Sequence, residues 1–271
     1  MTANVIVLAG YGLNCEEETL HAFTHNGANG KIVHINDLIE TPKMLNDYNI
    51  LAIPGGFSYG DDTGSGNAFA QKMRLALADD LKAFISRDTL TIGICNGCQI
   101  LVNLGLVPAL SEYGERDVAV TYNASARYQC RWIDIKIESN SPWLVDVDTL
   151  HIPVAHGEGR FMMENATLET LKSNGQVAAR YTKDKKAANG EFPHNPNGSI
   201  SDIAAMTDKS GKVLAMMPHP ERGMFTWQRD DYHEIKDAAQ REGRQIPDET
   251  GAMQIFKNAV AYFQAAQKKS A

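Results

Sequence analysis

Residues 91–99 read T-I-G-I-C-N-G-C-Q, an apolar segment that runs into a cysteine set between two glycines. The apolar part is typical of a buried strand, and Gly93 and Gly97 flank Cys95 in the spacing G-x-C-x-G, the thiol counterpart of the G-x-S-x-G nucleophile elbow. Small residues there relieve crowding at a sharp turn. Residues 98–104 are predicted to be helical, so the sulfur should lie at a helix N-terminus, which favours thiolate. We therefore predict that Cys95 is a nucleophile.

A second segment offers a base for this thiol. Residues 213–217 form an apolar run that indicates a buried strand, and P-H-P-E-R follows at 218–222. His219 is the candidate base, and Glu221 is placed to hold one imidazole nitrogen so that the other faces Cys95. The prolines restrict the loop that carries both side chains. The three residues are predicted to form a catalytic triad.

A third segment can supply hydrogen-bond donors. The apolar run at residues 50–53 is followed by Pro54, Gly55 and Gly56, whose backbone N–H groups have no side chain in the way. Such a loop suits an oxyanion hole, and the amide of Asn96, directly after the nucleophile, is the expected second donor. Taken alone, the same loop is also typical of an ordinary strand-end turn.

Other interpretations of these residues remain open at this point. A single buried cysteine is usually a small apolar core residue, and a lone histidine after a strand is usually structural. Cys95 and Cys98 also form C-x-x-C, which is found in redox and metal sites. Against that reading, the sequence has no second C-x-x-C, and Cys15 and Cys130 are distant in the chain. It is the combination of the three segments that favours a catalytic thiol.

Composition narrows the class of protein. The 271 residues are 43% hydrophobic, which is enough for one domain with a full core. The formal charge of −7, without a Lys/Arg-rich face, argues against nucleic-acid binding. Four cysteines, one of them needed as a free thiol, suit a reducing cytoplasm. The N-terminal residues lack a basic region and are too short an apolar run to span a bilayer, so we expect no membrane association.

The order of predicted elements indicates the fold class. Strands at residues 4–9, 31–35, 49–53 and 89–94 alternate with helices at 15–25 and 68–86. Such alternation predicts an α/β fold with a mainly parallel sheet flanked by helices, in which sites form beyond the carboxyl ends of strands.

The second half of the chain has a different pattern. Residues 117–155 contain shorter alternating segments such as 131–137, which predict an added antiparallel part. Residues 183–198 are interpreted as a loop, residues 205–212 as a strand and hairpin turn, and residues 253–266 as a closing helix. Residues 227–250 are charged and weakly patterned, which predicts either a solvated surface excursion or a partner-binding surface. We expect the whole chain, residues 1–271, to form one domain that includes this excursion.

Several motifs carry a resemblance to a known family. The motifs are P-G-G-F-S-Y-G-D at 54–61, G-I-C-N-G-C-Q at 93–99, H-G-E-G-R at 156–160, N-P-N-G-S at 195–199 and M-P-H-P-E-R at 217–222. With these motifs the chain resembles the glutaminase part of formylglycinamide ribonucleotide amidotransferase, also called phosphoribosylformylglycinamidine synthase, a triad-type (class I) glutamine amidotransferase of purine biosynthesis.

The resemblance implies a function. Cys95 would attack the side-chain amide of glutamine, and the ammonia released would pass to a synthase subunit that converts formylglycinamide ribonucleotide with ATP. It further implies that the amino-acid end of the substrate is held by Gln99, His156, Gly157 and Glu158. ATP and Mg are expected in the partner synthase, with or without an additional small bridging subunit. No phosphate-binding G-x-x-x-x-G-K-[ST] occurs in this chain, and we expect it to hold no metal or cofactor.

Three rival classes can be distinguished by experiment. A stand-alone thiol hydrolase of γ-glutamyl substrates would use the same triad without a partner. A chaperone on a similar fold would keep the elbow cysteine but usually lacks the His-Pro-Glu loop. A redox or regulatory protein would depend on Cys98 as much as on Cys95.

Overall fold

The computed structural model describes residues 2–269, which form twelve strands and seven α-helices. The strands are β1 (Asn4–Ala9), β2 (Asn29–His34), β3 (Ile50–Ile53), β4 (Leu90–Ile94), β5 (Ala119–Thr121), β6 (Gln129–Ile137), β7 (Thr149–His156), β8 (Arg160–Met162), β9 (Val177–Lys183), β10 (Lys186–Ala187), β11 (Ile203–Thr207) and β12 (Val213–Met216). The helices are α1 (Glu16–His25), α2 (Ile35–Glu40), α3 (Asn67–Ile85), α4 (Asn96–Asn103), α5 (Asn165–Ser173), α6 (Tyr232–Glu242) and α7 (Gly251–Lys269).

Ten of these strands form one mixed sheet. Its order is β2-β1-β3-β4-β12-β11-β9-β6-β7, with the short β10 paired to β9. The strands from β2 to β12 in this order are parallel, and those from β12 to β7 pair antiparallel. The remaining strands, β5 and β8, form a separate antiparallel pair. The predicted α/β class, with a parallel sheet extended by an antiparallel part, is confirmed.

The parallel strands are built from apolar runs because both of their faces are covered. Every residue of β3, β4 and β12 is buried. Helix α4 packs against all three of these strands, α3 packs against α4, and α1 contacts both β1 and α7. The buried apolar side chains form one contiguous core.

Parallel strands bring their carboxyl ends to the same edge of a sheet, where α/β proteins place their sites. Strands β1, β3, β4 and β12 end at Ala9, Ile53, Ile94 and Met216. The loops that follow these four strands therefore meet at one edge, and two of them carry Cys95 and His219.

Residues 227–250 differ from the prediction of a weakly patterned excursion, because they contain helix α6. Only Ala239 of this helix is fully buried, but Tyr232, Ile235, Ala238 and Ala239 recur at helical spacing, a signal that the interpretation as weakly patterned missed. Arg241 and Asp237 form a surface ion pair at 2.8 Å, and the helix is followed by Gly243, whose φ of 63° is left-handed.

The other predicted elements lie within three residues of those found, and β10 forms inside the predicted loop at residues 183–198. Among the helices of residues 2–269, none combines the length and the apolar character needed to cross a bilayer.

Candidate active site

Cys95 occupies a strained turn between β4 and α4. Its φ is 50° and its ψ is −103°, outside the regions that non-glycine residues favour. The turn is held by two backbone hydrogen bonds: Cys95 N–H donates to Met216 O at 2.8 Å, and Cys95 O accepts from Gln99 N–H at 3.1 Å. The thiol lies 3.5 Å from Ala155 O, and the residue is 3% exposed. The structure thus has the elbow predicted from G-x-C-x-G.

The two glycines of the elbow allow backbones to approach closely. A Cβ on Gly97 would lie 1.9 Å from Ile53 O, and a Cβ on Gly93 would lie 2.4 Å from Gly97 O. No side chain fits at either position without a backbone shift. The first turn of α4 can therefore rest directly on β3 and β4.

His219 and Glu221 form a buried pair in the turn after β12. Nδ1 of His219 lies 2.6 Å from Oε1 of Glu221, and the residues are 2% and 0% exposed. The turn is fixed by His219 N–H, which donates to Pro153 O at 2.9 Å, and by the 3-10 turn Pro220–Arg222. The carboxylate therefore orients the ring through Nδ1 and leaves Nε2 for another group.

Electrostatics favour a protonated imidazole here. Burial opposes the charge on His219, but the negative charges of Glu221 and Cys95 outweigh it, so the pKa of the imidazole lies well above its ordinary value. A ring that keeps its proton near neutral pH can donate it to a leaving group.

Cys98, the other cysteine of C-x-x-C, is fully buried. Burial, followed by the charge of Cys95, raises the pKa of the Cys98 thiol well above its ordinary value. Cys98 is therefore a neutral core residue of α4, and all four cysteines of the chain are free.

A cavity of about 260 Å³ opens above these residues. Cys95 and His219 lie in its wall together with Gly56 and Ala155. The remaining lining residues come from the loop after β1 and from the rim: Asn14, Cys15, Glu18, Phe57, Tyr128 and Arg222. The predicted nucleophile and the predicted base thus face the same cavity.

The predicted oxyanion loop at Gly55 and Gly56 is braced by the loop after β1. Gly55 O accepts from Asn14 N–H at 3.0 Å, and Gly12 O accepts from Phe57 N–H at 2.8 Å. A Cβ on Gly56 would lie 2.4 Å from Gly12 O, and a Cβ on Gly55 would lie 2.7 Å from Cε1 of His219. These contacts give residues 10–16 a positional role that sequence patterns did not reveal.

Asn96, the other predicted donor, begins α4, so its backbone N–H is one of the first-turn donors without a partner inside the helix. Its side chain is buried and ties the first turn of α4 to the loop after β3. Nδ2 donates to Oε1 of Gln99 at 2.7 Å, and Oδ1 accepts from Ser58 N–H at 3.2 Å.

The four residues expected to hold the substrate's amino-acid end form a buried network beside the cavity, and none of them lies in its wall. Gln99 Nε2 donates to Glu158 O, and Oε2 of Glu158 accepts from Ser65 N–H at 3.2 Å. His156 Nδ1 lies 3.1 Å from Oδ1 of Asn123, and Gly157 O accepts from Asn123 N–H at 3.0 Å. The structure thus brings the four together as a support for the strand end that reaches the thiol at Ala155.

His156 is neutral in this setting. Burial, with a smaller contribution from the positive charge of His219, lowers the pKa of His156 to about 3. Its Nε2 atom has no hydrogen-bond partner among the described residues. Because the His156 ring is neutral, His219 is the histidine of this region that can hold a positive charge.

Two groups of side chains in residues 2–269 bring potential metal ligands together. In the first, ligand atoms of Cys15, His219 and Glu221 lie within 4.8 Å of one another. The second joins His151 to Asp230 and Asp231. Both nitrogens of His151 are already occupied by carboxylates, at 2.7 Å from Asp134 and 2.8 Å from Asp230, so this group is an ion-pair cluster.

Sequence reasoning missed Cys15, Glu18, Phe57, Tyr128 and Arg222 as cavity residues. The available signal was topological: the loop after β1 leaves the same sheet edge as the elbow, so its G-Y-G-L-N-C-E segment was to be expected nearby. Tyr128 could not be found in this way, because it precedes an antiparallel strand.

A parallel α/β sheet with a cysteine elbow after one strand and a buried His-Glu pair after its neighbour defines a glutamine amidotransferase fold. The description "CobB/CobQ-like glutamine amidotransferase domain" belongs to the family model that matches residues 2–263. The chain belongs to this family, and within it to the glutamine amidotransferase subunits of phosphoribosylformylglycinamidine synthase, an enzyme of purine biosynthesis.

Similar proteins support this placement. Phosphoribosylformylglycinamidine synthase subunit PurQ of Methanococcus maripaludis (strain C7) is 50% identical over 263 residues, which cover 96% of this chain and 97% of the relative. The subunit of the same name from Dehalococcoides mccartyi is 37% identical, covering 95% and 96%. A chain of the structure of PurLQS from Thermotoga maritima matches with a TM-score of 0.68 and 29% identity, covering 97% of this chain and 100% of that one.

Proposed function

We propose that this chain hydrolyses glutamine to glutamate and ammonia with Cys95, His219 and Glu221. The observation that carries the proposal is a strained thiol and a carboxylate-held imidazole facing one cavity, with the His219–Glu221 bond at 2.6 Å. This is the arrangement of nucleophile, base and orienting carboxylate that acyl transfer needs. The whole of residues 1–271 would act as one glutaminase domain.

In the first half of the reaction, the Cys95 thiolate attacks the side-chain amide carbon of glutamine. The carbonyl oxygen becomes an oxyanion, which the backbone N–H groups of Gly56 or Gly55 and of Asn96 would stabilise. His219 then gives its Nε2 proton to the amide nitrogen, the C–N bond breaks, and ammonia leaves behind a glutamyl thioester on Cys95.

In the second half, His219 takes a proton from water, and the resulting hydroxide attacks the thioester. The C–S bond breaks, glutamate leaves and the Cys95 thiolate is restored. Glu221 keeps the ring in one orientation through both steps, because its bond to Nδ1 survives each change of protonation. In this scheme Gln99, His156, Gly157 and Glu158 hold the amino-acid end of glutamine through the strand end and backbone that they support.

The ammonia has to reach a second active site before it is protonated. We propose that a synthase subunit docks over the cavity and uses ATP and Mg to convert formylglycinamide ribonucleotide to formylglycinamidine ribonucleotide, with an additional small bridging subunit as a further candidate component. The match to a chain of PurLQS from Thermotoga maritima supports association with a synthase. A reducing cytoplasm, which keeps the four free cysteines as thiols, is the proposed compartment.

The test compares wild-type protein and Cys95→Ala in the assembled enzyme. With ATP and formylglycinamide ribonucleotide, Cys95→Ala should lose product formation from glutamine but keep it when ammonium is supplied, because the synthase reaction needs only ammonia. Equal loss with ammonium would contradict this division of labour. Glutamate release by the free wild-type chain should rise strongly when the synthase and its substrates are added, and full activity without them would favour a stand-alone γ-glutamyl hydrolase.

A further inference from the structure

We propose that Asn123 is a positioning residue for glutamine binding, which holds residues 156–159 in the shape that receives the amino-acid end of the substrate. The inference rests on the proposed function and deepens it, because it names a residue that no active-site motif contains. Asn123 lies between strands β5 and β6, and it is 2% exposed. It does not line the active-site cavity, so it acts through the segment that it holds.

Asn123 contacts residues 156–159 at four points. Its backbone N–H donates to Gly157 O at 3.0 Å, and its side-chain Nδ2 donates to His156 O at 2.9 Å. Its Oδ1 accepts from Gly159 N–H at 3.1 Å and lies 3.1 Å from Nδ1 of His156. One asparagine therefore spans the whole segment, from the last residue of β7 to the residue before β8.

The backbone between β7 and β8 has no strand partner, so side chains or a ligand must pair its polar groups. Gln99 donates to Glu158 O, and Asn197 donates to Gly159 O at 2.8 Å. Asn123 makes more contacts with this segment than either of these side chains. We therefore expect the shape of the segment to depend on Asn123 most.

The contacts also fix the direction of two backbone N–H groups. His156 O shares a peptide unit with Gly157 N–H, and Gly157 O shares one with Glu158 N–H, and in a trans peptide unit the C=O and N–H point in opposite directions. Because Asn123 binds both carbonyls, both N–H groups point away from it. Neither N–H has a hydrogen-bond partner in the part of the chain that the structure describes. Two such neighbouring donors can hold a carboxylate, which the amino-acid end of glutamine supplies in the proposed scheme.

The amide of Asn123 determines the tautomer of His156 as well. Nδ2 donates to two carbonyl oxygens, those of Arg127 and His156, so Oδ1 is the atom that faces Gly159 N–H and the imidazole. Nδ1 of the neutral His156 ring therefore carries the proton and donates it to Oδ1. Removal of Asn123 would release the ring and the two peptide units together.

The kinetic test compares Asn123→Ala with wild type in the assembled enzyme, with ammonium-dependent synthesis as the control for the partner. KM for glutamine should rise about 10–100-fold because the two N–H groups lose their orientation, and kcat should fall much less because the proposed triad is untouched. Asn123→Asp keeps the shape of the side chain but loses at least one donor bond. It should also raise KM, and it serves as the second variant if the alanine protein is unstable.

The matched control is Asn258→Ala. Asn258 is another buried asparagine whose Nδ2 donates to two backbone oxygens, those of Trp143 and Val145, but it lies in α7 and has no contact with residues 156–159. Its loss should leave KM for glutamine unchanged. The comparison separates the loss of a buried asparagine in general from the loss of this one.

A labelling experiment measures the same effect without turnover. A chloroketone analogue of glutamine must have its amino-acid end bound before it alkylates Cys95 efficiently, whereas iodoacetamide has no such end. At low reagent concentration, Asn123→Ala should slow the chloroketone reaction about tenfold or more and leave the iodoacetamide reaction unchanged. Mass spectrometry of the peptide that carries Cys95 gives both rates.

An unchanged KM in both Asn123 variants would overturn the inference. Equal slowing of both reagents would also overturn it, because that result indicates a general loss of structure. A wild-type enzyme that prefers the chloroketone, with a variant that keeps the same preference, would overturn the role of Asn123 alone. A wild-type enzyme with no such preference and no glutamine-dependent activity would overturn the proposed hydrolysis together with this inference.

Discussion

At the scale of the residue, the orientation of His219 depends on one carboxylate. The His219–Glu221 bond is short, fully buried and made within a proline-stiffened turn. Among the described residues Glu221 is the carboxylate that pairs with this ring, so no second carboxylate can take its place.

We therefore predict that Glu221→Gln lowers kcat for glutamine-dependent synthesis by about 10²–10⁴-fold, since a neutral amide neither stabilises the imidazolium nor fixes its tautomer. KM for glutamine should change little, because Glu221 does not contact the substrate in the proposed scheme. Steady-state kinetics of the assembled enzyme, with ammonium-dependent synthesis as the control, measures both. A kcat within threefold of wild type would remove Glu221 from the triad.

Cys98 leads to a prediction in the opposite direction. Its buried, neutral thiol packs within α4, so Cys98→Ala should keep glutamine-dependent kcat within about threefold of wild type and cost roughly 1 kcal/mol of folding free energy. Activity and urea denaturation measured on the same preparation separate the two effects. Complete loss of activity in a folded variant would revive the dithiol interpretation.

Cys95, His219 and Glu221 could be found in the sequence because each lies in a short motif directly after an apolar run. No short motif reveals Cys15 as their neighbour, because its contact with His219 joins two loops far apart in the chain and follows only from the order of the parallel strands. Short sequence motifs identify candidate catalytic residues, whereas contacts between distant loops depend on the order of strands in the sheet.

At the scale of the element, the elbow depends on how closely α4 approaches β3. Helix propensity alone would favour alanine over glycine inside α4 by about 1 kcal/mol. At Gly97 the steric cost of a side chain exceeds this preference for alanine, because a Cβ would lie 1.9 Å from the backbone oxygen of Ile53, which cannot move independently.

Gly97→Ala should therefore lower the free energy of unfolding by about 1–3 kcal/mol, the usual cost of overpacking. Urea denaturation followed by circular dichroism measures this change. The matched control is Gly157→Ala, where the nearest atom to a new Cβ is Tyr128 Cδ2 at 3.9 Å, so little change in stability is expected. Equal stability of wild type and Gly97→Ala would mean that the α4–β3 contact relaxes easily.

The elements that sequence patterns predicted best are those buried on both faces. β3, β4 and β12 are continuous apolar runs with sharp ends, whereas α6 is strongly polar and buries only Ala239 fully. Its apolar residues have helical spacing but are few, so the many charged residues around them hide the pattern.

At the scale of the whole molecule, the cluster around His151 ties the outer sheet edge to the segment before α6. His151 on β7 binds Asp134 on β6 and Asp230. Burial works to lower the pKa of His151, but the two carboxylates outweigh it and the pKa is raised above 6.5.

A histidine with a raised pKa stabilises the fold most in its protonated form. Its contribution should be complete below about pH 6.5 and be lost as pH rises through the higher folded-state pKa. Both carboxylates are about half exposed, so the effect should be at most about 1 kcal/mol. Urea denaturation across pH 5–9 should show the deficit of His151→Gln shrinking as pH rises, whereas the exposed control His233→Gln should show no such trend. A deficit independent of pH would contradict the ion-pair role.

The strand order of the antiparallel half could not be derived from the sequence. β9 lies between β11 and β6, which are separated by many residues, and nothing local specifies that pairing. Strands β1 to β4 were predictable in their main features because each strand, turn and helix among them follows the last in a repeating unit, whereas β12 joins them from the antiparallel half.

Strands β4 and β12 are hydrogen-bonded neighbours, paired from Thr91 with Val213 to Ile94 with Met216. The spacing between the thiol and the imidazole is therefore set by four rungs of one backbone ladder, although the two residues are far apart in the chain. Insertions, deletions or a transplanted module within the intervening sequence leave that spacing intact as long as the ladder forms. The exposed hairpin turn at residues 184–185, between β9 and β10, is thus a natural place for this lineage to gain or lose length, and for an engineer to graft a new segment, without retuning the chemistry.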